Sequence, residues 1–391
     1  ETSTTSRTSR LKPNMPPRQR NEAFFAPASG EQALQKMLIA ARETGQCNLR
    51  GRQLTELPSA CLDINSVVLP EGGAWWDCRE TLEKLDVSQN ELSALPELAS
   101  LPELRELLLS HNQLQLLPSL AALVELKLLE ASHNRLTALP EDLGAGAAPP
   151  LARLGCAHNL LASLPRSLVG MTSLEQIDLS HNKISALPDG LSALTQLRSV
   201  ALGHNQLRAL PADLLANLPP QLQELDLEHN RLGSLALGAA ASLRVLTLSH
   251  NALTRLDVSS CAALLELVAP HNQMEALPTG VCGLGRLSTI DLSNNKLRSL
   301  PPQLGESASL TRLELSNNEL SSLPPSLGLM AQLAVLNLQG NKLRSIPSAL
   351  LTGPTSRLLK HLADKMPLPA AAANVTPAAN GPASASASAN A

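Results

Sequence analysis

Residues 174–188 read Leu-Glu-Gln-Ile-Asp-Leu-Ser-His-Asn-Lys-Ile-Ser-Ala-Leu-Pro, and the chain repeats this pattern of apolar residues, asparagine and Leu-Pro. The repeated asparagine aligns the copies at spacings of 21 to 25 residues. It stands at Asn90, Asn112, Asn134, Asn159, Asn182, Asn205, Asn230, Asn251, Asn272, Asn295, Asn318 and Asn341. Self-similarity at this period predicts a solenoid, in which each copy forms one coil that stacks on the next.

Each part of the repeat has a structural interpretation. The alternating apolar residues predict a short strand that points its leucines inward and the residues between them outward. The asparagine follows the strand, where its amide can bond backbone groups that the turn leaves unpaired, so stacked copies should form an asparagine ladder. Leu-Pro opens a return segment that cannot join the sheet, because proline lacks an N–H. Period and motif are typical of leucine-rich repeats. The predicted fold is an α/β leucine-rich-repeat solenoid, a horseshoe with a concave parallel sheet of about 12–13 strands and a short helix capping each end.

Composition limits the classes of partner and the compartment that the sequence indicates. The net charge of the 391 residues is −3, so no global positive field favours nucleic acid or an anionic membrane. No apolar stretch approaches the ~18 residues of a membrane span. The six cysteines are scattered, and nothing after Cys282 could form a disulfide-bonded cap. Free thiols in a reducing, cytoplasmic compartment are therefore the expectation.

The predicted organisation has three parts. A basic tail covers 1–28, the repeat domain covers 29–366, and an Ala/Pro/Ser-rich tail covers 367–391; we expect both tails to be disordered. Organellar targeting by the basic tail is an alternative, since Ser, Thr and Arg are frequent there and acids are scarce. The domain comprises a capping helix over 31–44, a degenerate first repeat over 46–58, an insertion over 59–81, repeats over 82–347 and a closing helix over 354–365. Repeats within 236–263 shorten and lose the proline, which predicts a local change of curvature there.

The insertion contains Trp75 and Trp76, the only tryptophans of the chain. One interpretation is that they pack over the first coils. The other is a candidate hot spot for a partner, because tryptophan is enriched at such positions.

Catalytic chemistry is not indicated. Phosphate-binding glycine loops, nucleophile elbows and the His-Glu-x-x-His zinc motif do not occur, and the repeats leave no room for a catalytic domain. We therefore predict no enzyme activity, no cofactor and no metal.

Eight histidines precede repeat asparagines and should form a column about 5 Å apart. They are His111, His133, His158, His181, His204, His229, His250 and His271. Simple repetition of a polar slot explains them; a zinc site lacks a completing carboxylate or thiolate. Mutual repulsion should lower their pKa values, so stability should fall towards acidic pH.

The outward residues of the sheet are the candidate partner-binding surface. The residue between the two strand leucines is acidic in six repeats and basic in none: Asp86, Glu130, Asp178, Asp226, Asp291 and Glu314. The flanking column is mixed and includes Lys84, Glu106, Arg153, Glu224, Glu266 and Arg312. An ordinary solvated face could have this composition. The alternative is an acidic strip that receives a basic segment of a partner protein, and this column argues against nucleic acid.

The unrepeated flanks carry a more specific resemblance. Residues 38–49, the Trp75–Trp76 insertion and residues 351–360 resemble the family of leucine-rich-repeat-containing protein 40 and the plant intracellular Ras-group-related leucine-rich repeat proteins. The resemblance covers about 31–366. It implies a cytosolic protein-interaction scaffold in small-GTPase or related signalling. The chain has no tyrosine and so lacks the Gly-Val-Tyr-Trp signature of many plant members.

Three functions remain open at this point. The first is a non-enzymatic intracellular adaptor that binds a signalling partner on its concave face. The second is a structural subunit of a larger ciliary or organellar assembly. The third is the recognition arm of an enzyme whose catalytic domain lies outside this chain.

Overall fold

The computed structural model describes residues 30–70, 78–145 and 149–366. Within them, thirteen three-residue strands form one parallel sheet. These strands are β1 (Gln46–Asn48), β2 (Lys84–Asp86), β3 (Glu106–Leu108), β4 (Leu128–Glu130), β5 (Arg153–Gly155), β6 (Gln176–Asp178), β7 (Ser199–Ala201), β8 (Glu224–Asp226), β10 (Val245–Thr247), β12 (Glu266–Val268), β13 (Thr289–Asp291), β14 (Arg312–Glu314) and β15 (Val335–Asn337). Each lies beside the next in the order given. The predicted leucine-rich-repeat solenoid with a parallel sheet of about 12–13 strands is confirmed.

The leucines of successive coils merge into one core. The middle residue of each strand points inward and pairs in register with its counterpart, as Leu85 does with Leu107. Both side chains are fully buried, and the same cluster extends from Leu38 to Leu362. No coil has a core of its own, so the stack is stable only as a unit.

The return segments are irregular or form short helices. Residues 212–216 form a short helix, α2 (Ala212–Ala216). Single 3₁₀ turns occupy Ser59–Cys61, Ile64–Ser66, Arg166–Gly170, Leu191–Ala193, Val281–Gly283, Pro302–Glu306 and Pro325–Leu329.

Helices close both ends of the core. Helix α1 (Gly30–Thr44) packs beside β1 and buries Leu38 and Ala41, where the sequence predicts a helix over 31–44. After a short α3 (Ser348–Leu351), helix α4 (Thr355–Ala363) packs on the last 3₁₀ turn, where the sequence predicts a helix over 354–365. Leucines that would otherwise face water at the ends of the stack are thereby covered.

The two short repeats are built differently. Strands β9 (Ser234–Ala236) and β11 (Arg255–Asp257) lie in their return segments and form a second, two-stranded parallel sheet. Ala236 and Asp257 stand where most other repeats have proline, so backbone N–H groups are available for strand pairing. The sequence predicts a local change of curvature within 236–263, and what the structure shows in these repeats is a small second sheet on the return side.

Three predictions fall on residues that are not described. The basic tail over 1–28, the candidate hot spot at Trp75 and Trp76, and the tail over 367–391 lie outside the described residues.

Candidate partner-binding face

The candidate acidic residues share one column of the sheet. Each is the third residue of its strand, and the strand register places it beside the third residue of the neighbouring strand. Leu108 for example lies between Asp86 and Glu130, and Ala201 lies between Asp178 and Asp226. The pairing continues through Asp291 and Glu314 to Asn337. Because alternate residues of a strand face opposite ways, this column lies on the side away from the leucine core.

The aspartates of this column also have a local structural role. Asp178 Oδ1 accepts hydrogen bonds from the Ser180 backbone N–H at 3.0 Å and from the Ser180 hydroxyl at 2.7 Å. Asp86 and Asp291 make the same pair of bonds to the serine two residues on. In the last strand the side-chain amide oxygen of Asn337 takes this role and accepts a hydrogen bond from the Gln339 backbone N–H. Part of the preference for aspartate therefore comes from capping the turn after the strand, a reason that sequence reasoning missed.

The acidic residues differ in how available their charge is. Asp86 is only 7% exposed and contributes least to the surface. Glu314 forms an ion pair with Arg312 at 3.0 Å. Glu130, Asp178, Asp226 and Asp291 form no ion pair with Lys or Arg within the described residues. Partial burial raises the pKa of the Asp226 carboxyl above its usual value. These last four residues, which we call the acidic strip, carry the uncompensated charge of the face.

The flanking column is largely neutralised. Its members are the first residues of their strands, as the sequence predicts. Lys84 and Glu106 form an ion pair at 2.7 Å, and Ser199 donates to Glu224 at 3.1 Å. The flanking column contains three cations and three anions, so it adds little net charge to the strip beside it.

A ladder of asparagines fixes the edge where the strands end. Asn182 Nδ2 donates to the carbonyls of Leu179 at 3.0 Å and of Cys156, in the preceding coil, at 2.9 Å. Its Oδ1 accepts the Leu161 backbone N–H at 3.0 Å. The remaining eleven repeat asparagines bridge their own coil and the preceding one in the same way. Each amide therefore joins two coils by bonding backbone groups that lie outside the strands and have no partner in the sheet.

The eight histidines lie beside this ladder as a continuous stack of imidazole rings. Adjacent ring centroids are 4.0 to 4.2 Å apart, with interplanar angles of 8° to 14°. All eight residues have positive φ, between 49° and 58°. The same slot holds Gly51, Gln89, Asn294, Asn317 and Gly340, also at positive φ. A left-handed backbone conformation favours Gly, Asn and His. The occurrence of these residue types in one slot could have predicted this conformation, but sequence reasoning missed it.

The stack is poorly suited to binding a metal. Imidazole lone pairs lie in the ring plane, so parallel rings do not direct two nitrogens at one ion. No group of three or more His, Cys, Asp or Glu with metal-binding geometry occurs among the residues that the structure describes. Burial lowers the pKa of His133, His158, His181 and His250, and neighbouring imidazoles lower it further. Nearby carboxylates of Glu130, Asp178 and Glu228 oppose this shift.

Comparison with known proteins agrees with this architecture. The leucine rich repeat family model matches residues 124–184, 149–207 and 285–343. A leucine-rich-repeat protein of Leptospira interrogans is 27% identical, with 85% of this chain and 97% of that chain covered and a TM-score of 0.57. YopM, a leucine-rich effector protein of Yersinia pestis, is 29% identical, with 84% and 93% covered and a TM-score of 0.57. The ectodomain of the plant membrane receptor kinase GASSHO1/SCHENGEN3 of Arabidopsis thaliana, in complex with Casparian strip integrity factor 2, is 28% identical, with 68% and 34% covered and a TM-score of 0.57.

The chain is thus a leucine-rich-repeat solenoid, and proteins built from such repeats generally mediate protein–protein interactions. Among its described helices, none combines the length and apolar character needed to cross a bilayer.

Proposed function

We propose that this chain is a non-enzymatic protein-binding scaffold whose concave sheet face holds a basic segment of a partner protein. The observation that carries this proposal is the acidic strip, which lies on an open sheet face with no Lys or Arg paired to it among the described residues. Partially desolvated carboxylates of one sign attract Lys and Arg side chains and repel a polyanion.

The shape of the face supports a segment rather than a point contact. Thirteen strands at a spacing of ~4.8 Å give a surface on the order of 60 Å long. The solved ectodomain of GASSHO1/SCHENGEN3, which matches this chain in fold, is itself in complex with another molecule.

We further propose that the scaffold acts inside the cell, with a small GTPase or a related signalling component as a partner. Two observations support this. The flanks at 38–49 and 351–360 resemble intracellular Ras-group-related proteins. Cys47, Cys61, Cys156, Cys261 and Cys282 are thiols, the state expected in a reducing compartment.

The test removes the charge of the three aspartates among the four residues of the acidic strip and leaves the turns after their strands intact. Asp178→Asn, Asp226→Asn and Asp291→Asn combined keep an acceptor for the backbone N–H two residues on, as Asn337 does naturally. Proximity labelling in cells and pull-down from extract should show that proteins captured by the wild type are lost from this variant.

A matched control carries Glu97→Gln, Glu141→Gln and Asp189→Asn. These residues are exposed in return segments, so the control changes net charge equally away from the face. It should retain the partners of the wild type. Identical partners for the strip variant and the wild type would show that the acidic strip is not the binding surface.

A further inference from the structure

The opposite edge of the same sheet, where the strands begin, contains a basic cleft. It has a volume of about 330 Å³ and is lined by Arg198, Arg244 and Arg286. Gln221, Gln223 and Ser242 complete the polar part of its lining. Sequence reasoning missed this feature, because the three arginines stand in different repeats and outside the columns that define the motif.

The sheet brings these residues together. The Gln223 backbone N–H donates to the Arg198 carbonyl at 2.8 Å, and the Arg244 N–H donates to the Gln223 carbonyl at 2.8 Å. Arg198, Gln223 and Arg244 therefore occupy one position on three adjacent coils, with the two arginines about 10 Å apart at their Cα atoms. Arg286 belongs to a coil further along. Ala241 and Ala263 lie between them and leave the cleft open.

The three guanidinium groups have no side-chain partners among the residues that the structure describes. None of them forms an ion pair or a side-chain hydrogen bond with another described residue. Arg105 occupies the same position of its coil as Arg198 and Arg244, yet it pairs with Glu83 at 3.6 Å. In the cleft the intervening position is instead the uncharged Gln223. In water the three exposed cations repel one another only weakly, but an anion bound between them would be attracted by all three.

We propose that this cleft binds the phosphate of a phosphorylated serine or threonine side chain. Guanidinium groups match phosphate oxygens through paired N–H donors. A phosphomonoester carries nearly two negative charges and three acceptor oxygens, so it satisfies several arginines where a single carboxylate cannot. The glutamine amides add uncharged donors around the same cavity.

The surroundings favour one phosphate over a chain of them. Asp226 ends strand β8, which starts directly after Gln223, so the acidic strip lies about 10 Å from the cleft. A nucleic acid backbone laid across this region would meet those carboxylates. A protein segment with one phosphorylated residue near basic residues would fit both surfaces. This pairing of the two surfaces rests on the proposed function, whereas the phosphate site itself does not.

The test is calorimetric titration of the full chain with N-acetyl-O-phosphoserine amide. We expect saturable binding that weakens with salt, and a loss of about tenfold in affinity for each of Arg198→Gln, Arg244→Gln and Arg286→Gln. The triple variant should show no measurable binding. A control with Arg105→Gln, Arg135→Gln and Arg231→Gln removes the same charge outside the cleft and should bind as the wild type does. N-acetylglutamate amide should bind at least about tenfold more weakly than the phosphoserine probe.

Several results would overturn the proposal. These are no binding by the wild type at millimolar probe, equal affinity of the cleft variant and its control, or equal affinity for the glutamate probe. Tighter binding of inorganic phosphate would assign the cleft to a free anion instead, and tighter binding of oligothymidylate would assign it to nucleic acid. The probe carries no basic residue, so the strip variant should still bind it. A failure of the proposed function and a failure of the phosphate site are therefore distinguishable.

Discussion

The two edges of the concave sheet are built on different principles. The edge where the strands end repeats its residues from coil to coil, with an asparagine that is buried in ten of the twelve repeats that have it and with a left-handed residue before it. At the edge where they begin, the equivalent positions change from Glu83 and Arg105 to Arg198, Gln223 and Arg244. Repetition marks positions that every coil needs for its own backbone. Variation marks positions whose side chains the fold does not constrain.

The largest expected effect is the loss of one ladder amide. Asn182→Ala removes the acceptor for the Leu161 N–H and the donor to the Cys156 carbonyl, both in the preceding coil. Unpaired buried backbone groups cost about 1–3 kcal/mol each, so we expect destabilisation of about 3 kcal/mol or more, measured by urea denaturation. The control is His181→Asn, a substitution at the exposed residue next to Asn182. Equal urea midpoints for the two variants would show that the asparagine ladder does not stabilise the fold.

A smaller effect should come from the left-handed slot. His181 has φ 53°, a conformation that a β-branched residue adopts at a cost of about 1–2 kcal/mol. His181→Val should therefore be destabilised by about that amount, while His181→Asn should stay within about 0.5 kcal/mol of the wild type. Thermal and urea unfolding of both variants test this. If the two were equally stable, side-chain stacking rather than backbone conformation would explain the residue types in the slot.

Protonation of the histidine stack should lower stability at mildly acidic pH. The pKa values of His133, His158, His181 and His250 lie below the usual value in the folded chain. The unfolded chain then binds more protons as the pH falls below about 6.5, which shifts the equilibrium towards unfolding. The contribution is fully present above that pH and is lost as the pH falls through the lowered pKa values.

The measurement is the melting temperature at pH 7.5 and 5.5. We expect a decrease of a few degrees, and a smaller decrease when His133, His181 and His229 are replaced by Asn to interrupt the stack. The interval lies above the usual carboxyl pKa values, which limits other contributions. An equal decrease in both proteins would locate the acid sensitivity elsewhere.

The smallest expected effect is at the other edge. Arg244 is exposed and has no partner among the described residues, so Arg244→Gln should change the free energy of unfolding by less than about 0.5 kcal/mol. Urea denaturation of Arg244→Gln and Asn182→Ala under the same conditions compares the two edges directly. A loss comparable to that of Asn182→Ala would show that the cleft is structural and would weaken its assignment to a ligand.

Much of the face was predictable because strand and repeat both have fixed periods. The alternation around Leu107 and Leu109 specifies which residues point inward, and the repeat spacing aligns them across coils. The column from Asp86 to Glu314 therefore follows from sequence alone. The burial of Asp86 and the capping bonds of Asp178 do not, because they depend on rotamers and on the turn geometry.

The amino-acid sequence by itself determined the solenoid, the core and the acidic column, since each follows from a pattern repeated at a constant interval. Only the tertiary structure decided the left-handed backbone under the histidines, the second sheet of β9 and β11, and the cleft of Arg198, Arg244 and Arg286. The cleft in particular joins arginines up to 88 residues apart in the chain. Its members share no motif, and they meet only because the stacking of coils places residues that are distant in the chain beside one another.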